Sequence, residues 1–132
     1  KGGDELNLVK PGKNYGWPVI TYGINYDDTP ITDITEKEGM EQPKRYWKPS
    51  IATGGLMKVT GDRYPAWKGN FLVGALAQMH IARVELSDTT YVAEERLLEK
   101  VGRVRCVAQS PDGFLYVATE GPGALLKLVP VQ

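Results

Sequence analysis

Lys68-Gly69-Asn70-Phe71-Leu72-Val73-Gly74-Ala75-Leu76, followed by Ile81-Ala82-Arg83-Val84-Glu85-Leu86, decides the fold. A Gly-Asn turn signal leads into a short apolar strand, and a loop separates that strand from a second one. The same order recurs at Pro111-Asp112-Gly113, Phe114-Leu115-Tyr116-Val117-Ala118-Thr119 and Leu125-Leu126-Lys127-Leu128-Val129. Another strand precedes each unit, Leu56-Met57-Lys58-Val59 in one case and Val104-Arg105-Cys106-Val107 in the other. Phe114 stands about 43 residues after Phe71, inside the roughly 40–50-residue period of propeller blades built from up to four short strands. The alternative on pattern alone is an antiparallel sandwich with two similar hairpins.

Outward from these units, 15 glycines and 9 prolines punctuate the whole chain rather than forming one linker. Pro11-Gly12, Gly54-Gly55, Thr60-Gly61-Asp62 and Gly121-Pro122-Gly123 read as further turns. The stretch from Glu94 to Val101 has some helical propensity but neither a cap nor a sustained 3.6-residue pattern, so it reads as a turn or loop. Ile20 to Pro49 is polar and off the period, the mark of a long surface loop, and long ordered loops tend to be functional. The expected class is all-β.

Charge and composition exclude several roles. The formal net charge is +0, so no concentrated basic surface for nucleic acid or an anionic membrane is expected. No apolar run approaches the roughly 20 residues of a membrane-spanning helix. The single cysteine, Cys106, forbids an internal disulfide and reads as a small packed residue rather than a reactive thiol. No targeting signal is visible. There is no Cys-x-x-Cys pair, no Ser-His-Asp order and no phosphate-binding glycine loop.

Gly2-Gly3-Asp4-Glu5-Leu6-Asn7-Leu8 and then Gly12-Lys13-Asn14-Tyr15-Gly16-Trp17-Pro18 resemble the signature of the soluble quinoprotein aldose (glucose/sorbosone-type) sugar dehydrogenases. Tyr22-Gly23-Ile24-Asn25-Tyr26, Glu41-Gln42-Pro43, Tyr46-Trp47-Lys48, Gly74-Ala75-Leu76 and Arg103-Val104-Arg105 follow in that family's order along essentially the whole chain. Weak singly, these motifs are specific in sequence. The resemblance implies about two blades from the C-terminal third or so of a six-bladed β-propeller that uses pyrroloquinoline quinone and calcium. The expected division is a calcium loop and strand over 1–19, the long loop over 20–49, and blades over 50–90 and 91–132. It further implies an aldose sugar as substrate and a periplasmic or secreted location.

Residue by residue, the resemblance makes Glu5 a side-chain calcium ligand and Tyr15 a ligand through its carbonyl. Calcium takes six to eight hard oxygens, which glycine-rich loops supply through main-chain carbonyls. Without the resemblance, Asp4-Glu5 is an ordinary solvated acidic pair. Tyr26, Ala75, Leu76, Ala77, Arg103, Val104 and Arg105 take the positions that contact the quinone. Arg103 and Arg105 lie two apart on a strand and so share a face, where two guanidiniums can grip carboxylates of the tricarboxylate cofactor. The plainer possibility is an exposed strand whose arginines pair with surface acids. Ala77 departs from relatives that carry lysine there, which removes one charged contact. Tyr46 and Trp47 either line the same mouth or cap a loop.

The family's catalytic base is a histidine upstream of this segment. His80 therefore reads as a surface or loop histidine, and the chain alone is expected to be inactive. The rival function is a non-catalytic propeller piece serving as a binding or assembly module. Two blades leave open edges, so the chain is expected either to lack the rest of its ring or to complete one by self-association, with a homotrimer as the specific case.

Overall fold

The computed structural model describes residues 1–131. The chain divides into two compact units, Lys1–Ile51 and a second that begins at Ala52.

In the first unit, β1 (Asp4–Leu6) pairs antiparallel with β2 (Arg45–Trp47), with Glu5 opposite Tyr46. Leu6, Ile20, Trp47 and Ile51 are its buried hydrophobic residues. The segment 20–49 is thus not only a surface loop, since it returns as β2 and delivers Trp47 to this interior. Main-chain hydrogen bonds hold it on the way, Glu41 N to Asn14 O at 2.7 Å and Lys44 N to Leu6 O at 2.8 Å. Few apolar side chains suffice because hydrogen bonding satisfies the loop backbone.

The second unit holds two antiparallel sheets. The first runs in the order β3 (Thr53–Lys58), β4 (Phe71–Ala75), β5 (His80–Ser87), β6 (Thr90–Leu97). The second is β7 (Arg103–Gln109), β8 (Leu115–Glu120), β9 (Ala124–Leu128). Strand β7 packs on β3 and β4, and Val59, Leu72, Ile81, Val104, Val107, Leu115 and Val117 form the core. In β8 the buried residues alternate, Leu115, Val117 and Thr119, as a strand with one face inward requires.

Five sequence readings change here. Residues 94–97 are the end of β6, not a turn, so the boundary between 90 and 91 falls inside that strand rather than between blades. Strand β6 is mostly exposed, carries Glu94, Glu95 and Arg96, and lies at the edge of its sheet, and such strands escape hydrophobic-period rules. Gly54-Gly55 lies within β3, where a bulge falls between Thr53 and Gly55. Cys106 is exposed rather than packed, because a second bulge between Val104 and Cys106 breaks the two-residue alternation of β7. His80 is buried at the head of β5 rather than on the surface or in a loop, with only 1% of it exposed.

Among the side chains that tie the β3–β4 connection to the second sheet, Tyr64 makes two main-chain contacts. Tyr64, just before the 3₁₀ turn Pro65–Trp67, donates its hydroxyl to Leu128 O at 2.6 Å and accepts from Leu115 N at 3.1 Å. Tyr64→Phe keeps the ring but strands both partners. It is expected to lower stability by about 1–3 kcal/mol, measured as the midpoint of urea unfolding; an unchanged midpoint would refute the bridge.

Candidate functional site

The candidate residues gather in two places, one in each unit. In the first unit, Glu5, Tyr15 and Tyr26 line one cavity of about 520 Å³ together with Trp17, Gly2 and Gly3. Gly3 allows this approach. Its φ is +74°, and a Cβ there would lie 2.5 Å from Gly23 N, so the strand carrying Glu5 can pass directly against the loop leading to Tyr26.

The groups on this cavity have defined partners. Glu5 Oε2 accepts a hydrogen bond from Asn7 Nδ2 at 2.9 Å. The Tyr15 hydroxyl donates to Leu8 O at 2.8 Å and accepts from Lys10 N at 2.6 Å. Its phenol is therefore committed to the 8–10 loop, which leaves the main-chain carbonyl as the oxygen a ligand could use. Tyr26 lines the cavity and is 90% exposed as a residue, so its ring is open to a planar partner.

Behind Glu5, Tyr46 stacks on Tyr22 with ring centroids 3.7 Å apart, and the Tyr22 hydroxyl donates to Gln42 Oε1 at 2.7 Å. Burial first, then Tyr46 and the carboxylates of Glu36 and Glu5, push the Tyr22 hydroxyl above its ordinary pKa, so it stays a donor. Trp47 is buried in the interior of this unit and is not among the residues lining the cavity of Glu5, Tyr15 and Tyr26.

Among the described residues no three His, Cys, Asp or Glu side chains come together as a metal site. A cation at Glu5 would therefore draw on neutral amide and main-chain oxygens, which suits a hard ion such as calcium rather than zinc.

The second cluster lies on β7. Arg103 stands opposite Glu120 of β8, and Arg105 is the extra residue of the bulge, because Val104 pairs with Thr119 and Cys106 with Ala118. Both guanidiniums turn to one acid. Arg105 Nε donates to Glu120 Oε2 at 2.5 Å while a second Arg105 nitrogen pairs with the same oxygen, and Arg103 Nε lies 4.0 Å from it. Two cations facing one carboxylate leave an unbalanced positive charge on an exposed face. Val104 between them is fully buried.

Ala75 ends β4 fully buried, Leu76 and Ala77 form the turn after it, and Ala77 is exposed. Leu76 lies beside Gly54, which closes on β7: an added Cβ there would lie 2.3 Å from Val104 O and 3.0 Å from Leu76 Cγ. Two groups were not singled out from sequence. Asn7 carried a usable signal, since it lies two residues after Glu5 in the same acidic, glycine-led motif. Glu120 carried none, because its place opposite Arg103 depends on strand register.

A sequence model of the family described as Glucose / Sorbosone dehydrogenase matches residues 1–127. Aldose sugar dehydrogenase YliI of Escherichia coli is 40% identical over 98% of this chain and 36% of its own length. A crystal structure of a glucose dehydrogenase superposes with a TM-score of 0.90 at 46% identity, over 99% of this chain and 39% of the other. The PQQ-bound aldose sugar dehydrogenase of Streptomyces coelicolor, at 22% identity and a TM-score of 0.67, covers 96% of this chain and 37% of its own, and shares the fold. The chain spans about a third of the length of the curated relatives it matches.

Proposed function

The chain belongs to the glucose/sorbosone dehydrogenase family, and from that premise we propose that it supplies the calcium and pyrroloquinoline quinone contacts of an aldose sugar dehydrogenase. Its two sheets are β-propeller blades. The catalytic base would come from outside this chain, a division supported by the burial of His80, its one histidine. Among the described residues no helix is long and apolar enough to cross a membrane. A periplasmic or secreted location is part of the same proposal.

One observation carries the reading. Glu5 and Tyr15, expected at a cation, and Tyr26, expected at a quinone, line a single cavity although they are scattered over the first 26 residues. The chain's own atoms fit both groups. Near the carboxylate of Glu5 lies a buried amide oxygen, Asn7 Oδ1, with no hydrogen-bond partner. On β7, Arg103 and Arg105 already hold one carboxylate, that of Glu120.

In this assignment Glu5 and the Tyr15 carbonyl would hold the cation, Tyr26 would contact the cofactor, and Arg103 and Arg105 would neutralise its carboxylates. When bound, the quinone would take up the two electrons of the sugar, with calcium as the polarising Lewis acid. The protein residues orient these groups and neutralise charge.

The test is quinone binding, followed by absorbance with and without calcium. Calcium is expected to tighten binding, and Glu5→Gln to remove most of that calcium effect while the chain stays folded. Equal quinone affinity with calcium and with a chelator would overturn the reading.

A further inference from the structure

We propose that Asn7 is itself an oxygen ligand of the cation at Glu5, and that its amide also sets the Glu5 carboxylate for binding; this rests on the calcium reading of that cavity. Leu6, between the two residues and the last of β1, is buried, while Glu5 within the strand and Asn7 just after it meet through their side chains. The Asn7 amide has one donor end and one acceptor end. A carboxylate only accepts, so Nδ2 must face Glu5 Oε2, as its 2.9 Å contact requires. That choice fixes which end of the amide is which and leaves Oδ1 as the end without a protein partner.

Oδ1 is nevertheless buried and has no hydrogen-bond partner. Buried amide oxygens are almost always satisfied, and a donor or a cation is what satisfies them. Among the described residues, only two side-chain N or O atoms are buried without a partner, and Asn7 Oδ1 is the one beside a carboxylate of the candidate cavity. The missing partner is assigned as a hard divalent cation, calcium in class. Such an ion accepts neutral amide oxygens readily, and no cluster of acids is available among the described residues to complete its shell without them.

The arrangement has a second consequence. By holding Oε2, Asn7 leaves Oε1 as the Glu5 oxygen free to take the metal. Truncating Asn7 would then remove one ligand and loosen another.

The experiment is calorimetric titration of the full chain with calcium chloride, joined to thermal melts in calcium and in chelator. Asn7→Ala is expected to weaken calcium binding by about ten- to a hundredfold and to shrink the calcium-induced rise in Tm. Asn7→Asp, which places a second carboxylate beside Glu5, is expected to melt earlier in chelator, to bind calcium at least as tightly as wild type, and to show a larger calcium-induced rise.

The inference is overturned if Asn7→Ala lowers Tm equally in calcium and chelator with unchanged calcium affinity, which is the signature of a purely structural amide. It is also overturned if Asn7→Asp binds calcium more weakly than wild type, an arm that remains readable should the alanine variant fail to fold. Failure of the underlying reading looks different: wild type and Glu5→Gln would then give the same calcium response, or none.

Discussion

Gly54→Val is expected to lower the stability of the two-sheet unit by about 3 kcal/mol or more, or to prevent its folding. The reason lies in which atoms crowd the site. A Cβ at position 54 would sit 2.3 Å from Val104 O, a main-chain atom that cannot rotate aside, and 3.0 Å from Leu76 Cγ. Strand β7 would have to move away from β3. Val104 would lose its fully buried position, and the aim of Arg103 and Arg105 would change with it. Gly123 serves as the control: it has open space around the same added atom, so Gly123→Ala should change stability little. Urea unfolding of the two variants decides, and a Gly54→Val chain within 1 kcal/mol (about the scale of a typical surface change) of wild type would show that the sheets are not packed this way.

The double substitution Arg103→Ala and Arg105→Ala is expected to weaken pyrroloquinoline quinone binding by at least about a hundredfold. Each guanidinium–carboxylate hydrogen bond is worth about 1.5–3 kcal/mol, and 1.4 kcal/mol is about a factor of ten. The two effects will not simply add, because both side chains share Glu120. Glu120 gives a matching test in the opposite direction. It holds the arginines as an internal carboxylate, so Glu120→Gln should tighten quinone binding by removing a competitor and a repelling charge. Titrations followed by absorbance compare the three proteins. If the double alanine variant binds as wild type does, the arginines form only a surface ion pair, for which contributions near zero are common.

Much of the strand framework was legible because its strands are half-buried and bounded by glycine turns. The units beginning at Phe71 and Phe114 came out as β4 with β5 and as β8 with β9. Strand β6 escaped because Thr90–Leu97 meets solvent along most of its length, so burial wrote no period into it. The glycines at 54 and 55 have the composition of a turn, yet they are needed where β3 comes within touching distance of β7. Cys106 was misread because a bulge changes the phase of β7, and nothing local announces a bulge. At the candidate site, Glu5, Tyr15 and Tyr26 were singled out through the order of motifs. Their convergence on one cavity depends on loop paths that no spacing rule supplies. The unsatisfied oxygen of Asn7 is a property of packing alone.

The bulge in β7 also gives the chain a ready attachment point. Cys106 is the chain's single cysteine, it is exposed, and it directly follows Arg105. A maleimide dye would therefore mark one known position without any mutation, beside the arginine pair. Its emission would report whether an added anion reaches the arginine pair, and a tether through the same sulfur would present that face to an electrode in one orientation.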